Sequence, residues 1–365
     1  MKHRGYQISL YERNKMTEVV RLLGKNLWRG DGEQNWSYFK WKYHDNPYAN
    51  QPLAVIASHE RSIVGFRGYF ATIWYLGSND NRVVILEPAD TVVHPEHRRN
   101  GLSVAMGNFA MDQFAAKYSV LLNTSAGKNA IPGYLRLGFV SLGKKAYYRR
   151  SSFSRDVSVI WRGVLKRQEK EGDLPASRRN VLFGEFGDVV VSKSPGDEDM
   201  SRVAFSKNEL PAKIRLLQDQ VFFRWRFENP KARYVFYFYR QADAIVGYLV
   251  MLVSNDMRQG FIVDYGQERD GAIGEILDHI AKMAEVEEVD ILNIGVDDHL
   301  WEPFKSREFK KWGLHRLVKK IVFNEQPILV RPVKRQCSED DWFLGDLDIR
   351  NRANWEFKQI CQDNV

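Results

Sequence analysis

The stretch Asp90-Thr91-Val92-Val93-His94-Pro95-Glu96-His97-Arg98-Arg99-Asn100-Gly101-Leu102-Ser103 holds the residues best suited to chemistry. An apolar strand runs into a basic, glycine-containing turn, and a helix follows through Val104 to Met111. A turn of this kind aims free backbone N–H groups and the positive end of a helix at one point. Arg98 and Arg99 add charge there. The arrangement is a device for holding a phosphate or pyrophosphate beside a strand end.

The elements that must position it read as a mixed α/β sheet. A strand is expected over 6–10 and a helix over about 15–27, followed by an aromatic, basic box. Strands follow near 52–58, 62–76 and 82–93, then a helix over about 101–117. A strand over 118–123, a short helix around Pro132-Gly133-Tyr134-Leu135-Arg136 and a strand from Phe139-Val140 complete the unit. Strands alternating with helices in this order predict the α/β class.

The chain also repeats itself. Phe39-Lys40-Trp41-Lys42-Tyr43-His44-Asp45-Asn46-Pro47 recurs as Phe223-Arg224-Trp225-Arg226-Phe227-Glu228-Asn229-Pro230, with one residue deleted. Ile63-Val64-Gly65-Phe66 recurs as Ile245-Val246-Gly247-Tyr248, and Tyr6-Gln7-Ile8-Ser9-Leu10 matches Val189-Val190-Val191-Ser192-Lys193 in position. Three matches in order mark a divergent duplication. The expected organisation is a first unit over 1–150, a charged connector over 151–186 with Lys166–Asp173, a second unit over 187–325 and a tail over 326–365. The tail's Asp341-Trp342-Phe343-Leu344-Gly345-Asp346 is too aromatic for a free linker. Trp41 and Trp225 read as core anchors of each repeat, with stacking on a sugar ring as the alternative.

Composition sets broad bounds. The 365 residues suit two domains, and 44% apolar residues are enough for real cores. The net charge of +8 favours anionic ligands without choosing among them. Cys337 and Cys361 are the only cysteines, which excludes a disulfide framework and a cysteine zinc site. No run of about 18 apolar residues predicts a membrane span, and the N-terminus lacks a hydrophobic signal core, so a cytoplasmic protein is expected. Nucleic-acid binding has only the net charge and the basic aromatic boxes in its favour.

Arg98-Arg99-Asn100-Gly101-Leu102-Ser103 resembles the pyrophosphate loop of the GNAT superfamily of N-acetyltransferases, whose pattern is Gln/Arg-x-x-Gly-x-Gly/Ala. Arg98 and Gly101 fit, and Ser103 departs while staying small. Val93-His94-Pro95-Glu96 resembles the family's Val-x-Pro lead-in. Tyr134-Leu135-Arg136-Leu137-Gly138-Phe139 resembles its Tyr-x-x-x-Gly-Phe box, in the family's order. The form of both motifs is similar to the tandem-domain branch, so two GNAT-like domains are expected.

The resemblance implies an acyl-CoA co-substrate, acetyl-CoA foremost, and transfer of its acyl group to an amine. Backbone N–H groups of 99–103 cradle the pyrophosphate, with Arg98 and Arg99 on phosphate and Gly101 permitting close approach. The family's fourth strand, here ending near Val93, splays from its neighbour, so backbone groups of Val92 and Val93 pair with the pantetheine arm and polarise the thioester. Asn129 matches a position that contacts CoA. Tyr134 is the expected general acid for the departing thiolate. Asp90 is the preferred base over Glu87, because period-two alternation puts the two on opposite faces. Members of the family that take the amine in neutral need no protein base.

On the second repeat the same template puts Glu268 at the place of Arg98, Ile273 at Ser103 and Phe309 at Tyr134. A non-catalytic companion that walls an acceptor cleft is therefore expected. The acceptor is expected to be an amine on a small molecule, sugar nucleotide or glycan precursor. The alternatives are aminoacyl transfer of the peptidoglycan-bridge type and a non-catalytic CoA-binding module.

Overall fold

Two mixed sheets frame the protein in a computed structural model that describes residues 1–77, 81–151, 181–205, 213–254, 259–283, 288–293, 298–307, 309–311 and 326–362. Most of the expected connector, including Lys166–Asp173, lies outside the described residues. In chain order the strands are β1 (Lys2–His3), β2 (Tyr6–Leu10), β3 (Ala54–His59), β4 (Ser62–Leu76), β5 (Arg82–Val93), β6 (Val120–Asn123) and β7 (Val140–Lys144). There follow β8 (Ala146–Ser151), β9 (Gly184–Phe186), β10 (Val189–Ser192), β11 (Ile214–Leu216), β12 (Tyr234–Gln241) and β13 (Ala244–Val253). Next come β14 (Gln259–Gln267), β15 (Glu288–Asn293), β16 (Lys310–Lys311) and β17 (Pro327–Pro332). The short β18 (Phe343–Leu344), β19 (Leu347–Asp348) and β20 (Trp355–Glu356) come last, β20 pairing with β11 beside β4.

The first sheet runs β1-β2-β3-β4-β5-β6-β17-β7, and the second β9-β10-β12-β13-β14-β15-β8-β16. Both orders share one pattern. Antiparallel strands lead to a parallel pair, β5 with β6 and β14 with β15. The next strand then comes from the other half of the chain. β17 lies between β6 and β7, and β8 lies between β15 and β16. The sheets therefore do not follow the expected boundaries at 150 and 326. Each outer pair of strands needs a central partner for its backbone groups, and the two halves exchange that strand.

Helices cover the first sheet. α1 (Met16–Asn26) buries Met16, Val19, Val20, Leu22 and Leu23, the stripe of an amphipathic helix. α2 (Gly32–Phe39) starts where the Asp31 carboxylate accepts from the Gln34 N–H at 2.7 Å. α3 (Leu102–Phe114) and α4 (Ile131–Arg136) follow β5 and β6. Nearly every residue of β4 is buried, because apolar layers lie on both of its faces. Among the described residues no helix is long and apolar enough to cross a membrane.

The repeated box accounts for its own deleted residue. After α2 the chain makes one π-helical turn over Lys40–His44, and the Asp45 N–H donates to the Lys40 carbonyl at 2.9 Å. In the second copy the helix Gln220–Arg226 is regular, and the Phe227 N–H reaches the Phe223 carbonyl at 3.1 Å. The extra residue is thus absorbed as a π-bulge. The copies then converge. The Asn46 side chain accepts from the Tyr48 N–H at 2.9 Å, and that of Asn229 from the Lys231 N–H at 3.0 Å. Trp41 and Trp225 are buried between the halves, which makes both core residues.

Candidate active site

A bulge in β5 shapes the site. Gly68 pairs with Ala89 and Phe66 with Val92, so Arg67 alone faces both Asp90 and Thr91. Asp90 takes a positive φ of 48° there. The parallel pairing of β5 with β6 holds only at Ile85 with Val120 and Leu86 with Leu121. Beyond it the strands part, as the resemblance implies. Asn123 bridges the gap, its amide donating to the Pro88 carbonyl at 2.7 Å and to the Tyr134 hydroxyl at 3.0 Å.

The His94 N–H donates to the Val64 carbonyl at 2.8 Å. Strand alternation then turns the N–H and C=O of Val93 toward the open edge and those of Val92 back into the ladder. Of the two valines, Val93 therefore presents its backbone to the gap, whereas Val92 is engaged with Phe66 and its side chain is core. The Val93 carbonyl accepts from Arg98 Nε at 3.0 Å. Thr91 Oγ1 is buried beside the bulge without a hydrogen-bond partner.

The basic loop is pinned from behind. Pro95–His97 form a 3-10 turn, Arg98 is extended, and Arg99 and Gly101 have φ of 66° and 74°. A Cβ on Gly101 would meet only His3 Nε2 at 3.6 Å, so the positive φ, and not crowding within the protein, calls for glycine. The Asn100 amide donates to Tyr6 Oη and to the His97 carbonyl, both at 3.2 Å. His3 Nε2 lies 3.0 Å from the Asn100 carbonyl, and Tyr6 Oη lies 3.2 Å from His97 Nδ1. Asn100 thus holds the loop's shape with its side chain, and β1 and β2 buttress it.

Arg98 and Arg99 are exposed. No side chain caps α3, and its first helical bond runs from the Ala105 N–H to the Gly101 carbonyl at 3.0 Å. The N–H groups of Leu102, Ser103 and Val104 precede that bond and open the helix. The Leu102 side chain is core, so only its backbone can serve a ligand. The uncapped helix start, the open edge at Val93 and the orphaned Thr91 hydroxyl together fit an anionic co-substrate with a polar arm. On the same turn His94, Glu96 and His97 bring potential metal-ligand atoms within 4.8 Å of one another.

Tyr134 sits on α4, only 5% exposed. Its ring meets Phe139 edge-on at 5.0 Å, and the Arg67 guanidinium lies 4.9 Å from its centroid. Gly138, with φ of 83°, ends the helical segment, and the Phe139 N–H returns to the Tyr134 carbonyl at 3.1 Å. Through Asn123 the Tyr134 hydroxyl is tied to the parting strands. Asn129 is exposed in the turn that precedes α4.

Asp90 is not placed as a free base. Its carboxylate accepts from Lys42 Nζ at 2.8 Å, Tyr43 Oη at 2.7 Å and Trp28 Nε1 at 2.8 Å. Lys42 is 1% exposed, so the pair is a buried ion pair that anchors the bulge. Regular alternation stops at Ala89, because Asp90 itself sits in the bulge with a positive φ. Glu87 is buried and accepts from the Thr124 N–H at 2.9 Å and Oγ1 at 2.5 Å. Sequence reasoning missed Trp28, Lys42, Tyr43 and Arg67. The extra residue of the first box was the available signal, because the π-turn carries Lys42 and Tyr43.

The second half revises the expected register. The Glu268 N–H donates to the Val246 carbonyl at 2.9 Å, which puts Glu268 at the place of His94 and not of Arg98. Gly271, with φ of 90°, opens the helix Ala272–Met283 as Gly101 opens α3. The intervening loop is about four residues shorter, so no residue stands where Arg98 stands. Glu268 is paired with Arg202 at 2.5 Å.

The aromatic box shifts as well. The Phe309 N–H reaches the Phe304 carbonyl at 3.2 Å, and the two rings meet edge-on at 5.5 Å. Phe304 therefore matches Tyr134, and Phe309 matches Phe139; Trp312–Leu314 lie outside the described residues. The hydroxyl is still missing. Asp264 repeats Asp90, accepting from Lys358 Nζ at 3.1 Å, Tyr248 Oη at 2.9 Å and Gln218 Nε2 at 2.7 Å. A cavity of about 250 Å³ lies near that second carboxylate, lined by Tyr75, Arg215, Gln218 and Lys358 among others.

No protein-family model matches the sequence, and no curated protein matches it. Solved structures do. A GCN5-related N-acetyltransferase from Anabaena variabilis superposes with a TM-score of 0.59 at 12% identity, over 90% of this chain and 73% of the other. A protein of unknown function from Enterococcus faecalis, described as a probable N-acyltransferase, gives 0.56 at 10% identity over 91% and 73%. A GCN5-related N-acetyltransferase from Kribbella flavida gives 0.56 at 11% identity over 90% and 71%. With its parted β5 and β6, uncapped α3 and mixed sheet, the chain has the fold of the GCN5-related N-acetyltransferase superfamily.

Proposed function

We propose that the protein is an acyl-CoA-dependent N-acyltransferase, using acetyl-CoA, with its chemistry in the first half of the chain. The carrying observation is the contrast between the halves. The first keeps an eight-residue basic approach to its helix and a tyrosine at the strand gap; the second has a shortened loop and Phe304. In this reading the two halves are tandem GNAT-like units, the second non-catalytic.

The geometry supports the following roles. N–H groups of 99–103 and the side chains of Arg98 and Arg99 hold the pyrophosphate. The Val93 N–H faces the thioester arm. A neutral amine attacks the thioester carbonyl, and Tyr134 protonates the departing thiolate. No step uses Asp90. The acceptor is an amine on a small molecule, sugar nucleotide or glycan precursor, and the reaction takes place in the cytoplasm, where the protein has access to acyl-CoA. Thiol release from acetyl-CoA over a panel of amines tests the reading. Tyr134→Phe is expected to slow turnover by about 10²-fold or more and leave acetyl-CoA binding intact. Wild-type turnover in that variant contradicts the assignment.

A further inference from the structure

Arg67 is fully buried without a carboxylate. It lies on β4 opposite the bulge, 2% exposed. Its Nε donates to Tyr69 Oη at 3.0 Å and its Nη1 to the Ser103 carbonyl at 3.4 Å. Its guanidinium lies 4.9 Å from the Tyr134 centroid and 5.7 Å from that of Tyr69. Among the described residues no acid pairs with it. A buried cation without a counter-charge is costly and needs a compensating role. Its neighbours are two phenols and the start of α3, the helix that follows the basic loop.

We propose that Arg67 is a positioning residue for acyl transfer, fixing the Tyr134 ring at the strand gap and stabilising the phenolate left when Tyr134 gives up its proton. This rests on the reading of Tyr134 as general acid. As the amine nitrogen bonds to the acyl carbon, the C–S bond breaks. The sulfur keeps the electron pair and takes the Tyr134 proton. The phenolate then regains a proton, through water, from the nitrogen of the newly formed amide. A guanidinium over the ring lowers the energy of that anion in a dry site, where charges act strongly.

The other titratable groups around Tyr134 do not duplicate this. Burial pushes the Tyr69 phenol up, so it stays neutral. Glu87 on β5 is bonded to Thr124. Arg331 on β17 lies against Gly138 and donates to the Pro332 and Lys334 carbonyls. Asp112 on α3 is paired with Arg335. Arg136 of α4 is exposed.

The test is 19F NMR of protein labelled with difluorotyrosine, whose phenols ionise within an accessible pH range. Absence of one resonance in Tyr134→Phe assigns the signal. Arg67→Gln is expected to move the Tyr134 midpoint up by one pH unit or more, a tenfold loss of ionisation, and Arg67→Lys to restore most of it. An unmoved midpoint in Arg67→Gln overturns the role. If that variant does not fold, the labelled wild type decides: Tyr134 must ionise below buried Tyr11 and Tyr48, which have no guanidinium over their rings. Ionisation together with them overturns the role as well. Calorimetry with acetyl-CoA separates the two ideas, because absent binding sinks the acyltransferase reading whatever the midpoint does.

Discussion

Trp41 and Trp225 stack on one another across the middle of the molecule, with ring centroids 5.5 Å apart and planes 20° from parallel. Trp41 Nε1 donates to the Trp225 carbonyl at 2.8 Å, and Trp225 Nε1 to the Trp41 carbonyl at 3.1 Å. The same residue of each repeat thus satisfies its counterpart, which is what a local two-fold relationship requires. Both indoles are buried, so neither is a platform for a sugar. Trp225→Ala is expected to cost about 3–5 kcal/mol, since it removes the stack, opens a cavity and takes the indole donor from the buried Trp41 carbonyl. Denaturant unfolding measures it.

The exchanged strands couple the halves. A chain ending at residue 325 loses β17 and leaves facing edges of β6 and β7 unpaired. Such a chain is expected to aggregate and to lose acetyl-CoA binding, although the basic loop is more than 200 residues away in sequence. Size-exclusion chromatography and circular dichroism check this. A monomeric, folded truncation contradicts the structural role of the exchange.

Asp90→Asn distinguishes an anchor from a base. It leaves the buried Lys42 ammonium without its counter-charge, and a loss of about 3–5 kcal/mol is expected. Acyl transfer by the folded fraction is expected to persist with an unchanged pH profile. Full stability with abolished turnover restores Asp90 as a base.

The two cysteines are expected to differ in reactivity. Burial pushes the Cys361 thiol up to about 12, whereas Cys337 is exposed. At pH 8 a thiol reagent is expected to label one cysteine in the native protein and two in denaturant. The folded state keeps the Cys361 proton above the pH at which the unfolded chain gives it up. This contribution to stability is therefore complete below about pH 8.5 and is lost progressively as pH rises toward 12. Alkaline melts of wild type and Cys361→Ala read it.

Much of this was legible in local pattern. The strand–turn–helix at 90–114, the tyrosine box and the aromatic repeat follow from short-range spacing, which fixes faces, caps and turns. The rest depended on features that spacing hides. A single-residue bulge at Asp90 and a π-turn at Lys40–His44 broke the regular periods, so the Lys42–Asp90 pair was unseen. A shortened loop before Gly271 misaligned Glu268, and the spacing of Phe309 to Gly313 imitated the tyrosine box five residues too late. The exchange of β8 and β17 joins residues more than 130 positions apart, and no local signal reports such a pairing.

The proposed acyl-CoA site is single and is held by the loop of the first half. Calorimetric titration of acetyl-CoA into wild type and Arg98→Glu tests it most directly. One equivalent bound by wild type is expected, with at least a tenfold loss of affinity in the variant and the fold intact by circular dichroism. No binding at millimolar acetyl-CoA, or undiminished binding in Arg98→Glu, would contradict it.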